Sequence, residues 1–113
     1  EMSTIQESIK HSIQEAFKNL FDHELSIDEV KLESTNKDFE GEYTFVVFPV
    51  LRFTRKRPEE TAEMVGEFIA AKVDEIASYN VVKGFLNISL TDSYWADFVS
   101  KVFSNKEFGR NES

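Results

Sequence analysis

A chain of 113 residues with 41% hydrophobic content is the size of one ordinary globular domain, and such a chain buries about two-thirds of its unfolded surface around a single core. It has no Cys and hence no disulfides, no apolar run near the roughly 20 residues of a membrane span, and no basic-then-apolar signal peptide in residues 1–25, so a soluble cytoplasmic protein with no membrane partner is expected. The net charge of -8 counts against a nucleic-acid binder, whose affinity comes largely from Lys and Arg at phosphates, yet a phosphate senses the local field within about 8 Å rather than the global sum.

Taken in chain order, Ile5, Ile9, Ile13, Ala16, Phe17, Leu20 and Phe21 recur at helical spacing, which predicts a helix over residues 3–21 with Ser3 and Gln6 as a capping box. Val30, Leu32 and Ser34 alternate with Glu29, Lys31 and Glu33, predicting a strand over 29–34. The polar stretch 35–40 ends at Gly41, and the β-branched and aromatic run 42–48 predicts a second, antiparallel strand. Pro49 stops it, and Val50, Leu51 and Phe53 suggest a short helix. Pro58 followed by Glu59 and Glu60 suits a helix start, and Ala62, Val65, Ile69, Val73 and Ile76 mark its apolar stripe, predicting a helix over 58–78. Residues 79–83 and 85–90 are two further strands about Gly84. A last helix follows, with Asp92 as its cap and Trp95, Phe98, Val99, Val102 and Phe103 on one face. The order is helix, two strands, helix, two strands, helix, with strand connections too short for parallel crossovers, so the fold class is α+β, a two-layer sandwich on an antiparallel sheet.

Along residues 85–90, alternation places Leu86, Ile88 and Leu90 on the core face and Phe85, Asn87 and Ser89 on the other. An aromatic ring beside an amide on a face open to a partner can read an unstacked RNA base, the ring by stacking at about 1 to 3 kcal/mol and the amide by hydrogen bonds. The alternative is structural: strand aromatics often cover a second layer, and Asn is common at sheet edges. Arg52, Arg55, Lys56 and Arg57 form a basic patch in an otherwise acidic chain. With Lys83 it suits phosphate contact. Its alternative is a solvated turn, although Arg57 then sits at the unfavourable positive end of the following helix.

Three ordered segments, Gly41-Glu42-Tyr43, Lys56-Arg57-Pro58-Glu59-Glu60-Thr61-Ala62 and Lys83-Gly84-Phe85-Leu86-Asn87-Ile88-Ser89-Leu90, resemble the N-terminal additional domain of arginyl-tRNA synthetases. That family shows a Gly-Asp-Tyr turn, a basic-x-Pro helix start and a Gly-aromatic-aliphatic-Asn-aromatic-x-Leu strand. This chain differs in having Glu42 for the Asp, Val46 where Asn is common, and Lys83 where Pro precedes the Gly. The resemblance implies a domain over 1–108 and, after Phe108-Gly109, the start at 109–113 of a linker to a catalytic domain. It also implies contact with the D-loop of arginine tRNA, with Phe85 and Asn87 at the base and Arg52, Arg55, Lys56, Arg57 and Lys83 at phosphates. DNA is not an expected partner.

The parent enzyme implied is a class I arginine-tRNA ligase that uses ATP with Mg. Its His-Ile-Gly-His-like and Lys-Met-Ser-Lys-Ser-like motifs are not in this sequence, so no aminoacylation, catalytic residue or cofactor is expected of these residues themselves. His11 and His23 lack partners at metal-ligand spacing and read as solvated helix-surface residues, so no metal is expected. Weak RNA binding by this piece, supplemented by the other domains of the parent, follows from the charge of -8. The competing functional reading is an acidic protein-interaction module that docks through the Trp95 helix and does not touch RNA.

Overall fold

The structure is a computed structural model that describes residues 5–106, with the side chains of 98 and 101–106 excepted. The expected Ser3 cap and the 108/109 boundary lie outside the described residues. The first helix, α1 (Ile5–Phe21), buries Ile9, Ile13, Ala16 and Phe17 completely, as their spacing of three and four requires. After a 3-10 turn (Ile27–Glu29) come β1 (Leu32–Ser34) and β2 (Tyr43–Val46). A second 3-10 turn (Phe48–Val50) runs into the single-turn α2 (Leu51–Thr54). Then follow α3 (Pro58–Lys72), β3 (Ile76–Val82), β4 (Phe85–Leu90) and α4 (Asp92–Lys106).

The strands form one antiparallel sheet in the order β1-β2-β4-β3. Helices α1 and α3 pack on the face that carries Phe45, Leu86 and Ile88, each fully buried, and each such side chain contributes about 1.5–3 kcal/mol. Phe17 meets Phe45 edge-on with centroids 6.4 Å apart, tying α1 to β2. Helix α3 lies so close to the sheet that a Cβ at Gly66 would stand 2.7 Å from the Tyr79 ring and 2.9 Å from Leu86. The expected α+β sandwich is therefore observed.

Several boundaries differ from the expected ones. The helix expected to reach residue 78 ends at Lys72, because Val73 turns to extended geometry (φ -106, ψ 110) while its N–H still bonds Ile69. Ile76 keeps the helical spacing but is buried as a strand residue paired with Leu90. Strand β1 starts late because Glu29 Oε1 accepts the Ser26 N–H at 3.0 Å and holds 27–29 in a turn. Strand β2 stops at Val46 because Val47 is already helical (φ -86, ψ -16). Thr91, not Asp92, caps α4, its Oγ1 accepting the Tyr94 N–H at 3.0 Å. On α4, Trp95 and Val99 are 37% and 46% exposed. His23 is not a solvated helix residue either: it lies past α1, half-buried, its ring stacked on Phe53 at 3.8 Å.

Candidate nucleic-acid interface

The β3–β4 connection is a two-residue turn, Lys83-Gly84, between the paired Val82 and Phe85. Both residues have positive φ, 53° and 83°, the arrangement of a type I′ hairpin. Pro, locked near -65°, cannot occupy the φ of Lys83, so the proline of the family pattern would require another turn type. Gly84 is pressed against two other segments: a Cβ there would lie 2.6 Å from Pro58 Cβ and 3.2 Å from Phe48 Cζ. The hairpin tip, the start of α3 and the Phe48 turn therefore meet at one edge of the sheet.

Two aromatic rings mark that edge. Val47 and Val50 are fully buried, which turns the intervening Phe48 outward to 47% exposure. Half-buried Phe85 packs edge-on against it at 5.5 Å. Phe48 is not among the sequence candidates. Its only signal is an aromatic directly before Pro49, where the strand has to end.

The basic segment wraps the same edge. Arg55 closes α2 in the left-handed conformation (φ 58, ψ 29), its N–H bonding Leu51 O at 3.0 Å. The buried Thr54 and Thr61 hydroxyls are hydrogen-bonded at 3.0 Å, and the Lys56 N–H donates to Thr54 Oγ1 at 3.3 Å, so α2 and the loop are held to α3. Arg57 is the N-cap residue of α3 and makes no side-chain cap bond. Among the described residues Arg55, Arg57 and Lys83 are in no ion pair, whereas Lys56 reaches Glu60 at 3.9 Å. Arg52 is engaged elsewhere: it pairs with Glu29 at 3.5 Å and lies over the Phe53 ring. The Glu29 carboxyl is held below its ordinary 4.5, chiefly by the Ser26 N–H, against some desolvation, with Arg52 and His23 adding smaller favourable effects.

Asn87 does not share the exposure expected of it. It is 0% exposed, because the loop between β1 and β2 folds over it. A Cβ at Gly41 (φ 138) would stand 3.2 Å from Asn87 Cβ. Beneath this roof Asn87 Oδ1 accepts from Thr44 Oγ1 at 2.6 Å and Asn87 Nδ2 donates to Asn80 Oδ1 at 3.1 Å. Asn80 Nδ2 in turn donates to the Glu40 carbonyl at 2.9 Å. Glu42, the residue that replaces Asp, completes the enclosure: its N–H bonds Ile88 O and its carboxylate accepts the Leu90 N–H, both at 2.7 Å. Thus Gly84 brings the Lys83 turn against Phe48 and against Pro58, the residue after Arg57, and Phe48 packs on Phe85, whereas Arg52 pairs with Glu29 and Asn87 is one layer below the surface.

Among the described residues no group of three or more His, Asp or Glu side chains could hold a metal ion, and no helix is long and apolar enough to cross a membrane.

Comparison with known proteins agrees with this architecture. The family described as the arginyl tRNA synthetase N terminal domain matches residues 3–90. The chain is 37% identical over 105 residues to an arginine–tRNA ligase of Bacteroides thetaiotaomicron, covering 93% of this chain and 18% of that protein. It is 39% identical over 101 residues to that of Amoebophilus asiaticus, covering 89% and 17%. The chain thus spans less than a fifth of the length of either relative. In fold it is similar to Thermus thermophilus arginyl-tRNA synthetase, with a TM-score of 0.71 at 19% identity, over 84% of this chain and 15% of that one. With the family matched over most of its length, the chain belongs to the arginyl tRNA synthetase N-terminal domain family.

Proposed function

We propose that this chain is the part of an arginine-tRNA ligase that meets the D-loop corner of arginine tRNA, so that the parent enzyme can attach L-arginine to the tRNA with ATP in the cytoplasm. The Phe85 and Phe48 rings stack on an unpaired base, Asn87 supplies a hydrogen bond to its edge once the loop that covers it opens, and Lys83, Arg55 and Arg57 meet the flanking phosphates. Arg52 and Lys56 add to the field once their carboxylate partners are screened or displaced. ATP and Mg belong to the catalytic domain of the parent.

The observation that carries this reading is the choice of residues at the hairpin edge. Folding alone favours Gly or Asn at left-handed positions and Ser, Thr, Asp or Asn at an N-cap. Here Lys83 and Arg55 occupy left-handed positions and Arg57 an N-cap. A left-handed side chain costs about 1–2 kcal/mol, and a cation at a helix N-terminus a further 0.3–1 kcal/mol or so. Departures from local preference concentrate where a ligand is bound, and Lys83 and Arg57 directly precede Gly84 and Pro58, which meet beside exposed Phe48 and half-buried Phe85.

The competing reading, a protein-docking module, is favoured by the exposure of Trp95 and Val99 on α4. Docking against the catalytic domain of the parent accommodates both. The test is tRNA binding and aminoacylation by the intact enzyme carrying Phe48→Ala and Phe85→Ala. Loss of tRNA affinity by about 1 to 3 kcal/mol per stacked base is expected, with L-arginine and ATP use unaltered. Unchanged tRNA affinity assigns the edge to another role.

A further inference from the structure

Resting on that reading of the site, we infer that Asn80 is a positioning residue that governs access to Asn87, by holding the β1–β2 loop shut over it. An Asn amide has two donor hydrogens and an acceptor oxygen. The Asn87 oxygen already accepts from Thr44, and its nitrogen already donates to Asn80 Oδ1. The Asn80 carbonyl therefore takes the place that an acceptor on a base edge would occupy. The same Asn80 amide uses its nitrogen to hold the loop through Glu40 O. One side chain both occupies the reading group and latches its cover.

The cover is built to move. Residues 36–40 are all exposed, Phe39 included at 40%. Inside the loop the bonds are local, Asp38 N–H to Asn36 Oδ1 at 2.9 Å and Phe39 N–H to Asn36 O at 3.0 Å. Its two ends are fixed to the sheet: the Thr35 N–H bonds Glu42 O at 3.1 Å, and the Glu42 N–H bonds Ile88 O at 2.7 Å. Between these ends the Asn80–Glu40 bond is the hydrogen bond that fastens the loop to the sheet face, with Gly41 seated on Asn87. A segment with little buried apolar surface and few anchoring bonds opens at low cost. Opening breaks the Asn80–Glu40 bond, which leaves the Asn80 amide free to turn away from the Asn87 nitrogen, and removes Gly41 from above Asn87.

When the competent state is a fraction of the population, apparent affinity falls by that fraction. Weakening the latch therefore tightens RNA binding, the reverse of what removal of a purely structural residue does. In the intact protein, Asn80→Ala is expected to raise affinity for an arginine tRNA transcript by about 3- to 10-fold, the worth of one hydrogen bond. Without RNA, it speeds amide hydrogen exchange at residues 39–41. The gain disappears in Asn80→Ala/Asn87→Ala. Asn80→Asp keeps an acceptor for Asn87 but no donor for Glu40, so exchange quickens while the affinity gain is smaller; it also serves where Asn80→Ala does not fold. Unchanged exchange at 39–41, or quickened exchange with tRNA affinity equal or lower, overturns the inference. A Phe85→Ala variant that binds tRNA as the parent does defeats the underlying reading instead.

Discussion

Gly84→Ala tests whether the hairpin tip and the start of α3 are held together. The left-handed backbone (φ 83) alone makes a side chain cost about 1–2 kcal/mol. The new Cβ would also stand 2.6 Å from Pro58 Cβ, about 1 Å or more short of the roughly 3.5–4.0 Å of a normal carbon contact. A proline ring cannot rotate away, so the hairpin and helix must part, an overpacking strain of about 1–3 kcal/mol. The expected loss is therefore about 2–5 kcal/mol from a total of about 5–15. Urea unfolding at constant m-value measures it. For a chain of this size each kcal/mol also lowers Tm by about 4–8 °C. Lys83→Asn is the companion, placing a residue that tolerates φ 53 at the first turn position, and should gain a few tenths to about 1 kcal/mol. A Gly84→Ala loss below about 0.5 kcal/mol would refute the packing that brings Lys83 to the basic loop.

Gly66→Ala should gain about 1 kcal/mol of helix propensity but lose about 1–3 to overpacking against Tyr79 and Leu86, 2.7 and 2.9 Å away, and thermal unfolding should register a net loss. Arg57→Asp should stabilise α3 by about 0.5–2 kcal/mol through a cap bond and the helix dipole while weakening tRNA binding, so Tm and Kd both rise. For Glu29, whose folded carboxyl lies below its ordinary 4.5, the charged form is favoured by folding. Its contribution is complete above 4.5 and fades as pH falls through the lower folded value. Glu29→Gln should remove that acid-side loss from a stability–pH profile and leave the slope above pH 5 or so unchanged.

Elements with strong periodicity are legible in the sequence: the α1 stripe, the Pro58 helix start and the alternation of 85–90 all recur in the structure. Ile76 reads as helical in the sequence because its spacing from Val73 fits a helix and the start of a strand equally, and only Leu90 across the sheet decides the matter. The hairpin edge is half legible. Cations and Phe85 stand out in the sequence, but Phe48 joins them only through its approach to Gly84 and Phe85, a contact between segments distant in sequence. Asn87 shows the limit of alternation most clearly. Period two correctly turns it away from the helices, yet cannot reveal that a loop from the other hairpin covers that face. Gly41 is the signal, since a Gly with φ 138, a conformation that side-chain-bearing residues rarely adopt, is pressed on Asn87 and marks a close approach.

The central claim, that an acidic chain presents a local cationic edge to arginine tRNA, is tested most directly by salt dependence. Dissociation constants of the intact protein and of Arg55→Ala/Arg57→Ala/Lys83→Ala for arginine tRNA should be measured across a range of salt concentrations. Removing one cation from a phosphate lowers the slope of log K against log salt by about 0.7–0.9, so a slope shallower by about 2 is predicted, with weaker binding at every salt concentration. Equal slopes and equal affinities for the two proteins would contradict the claim.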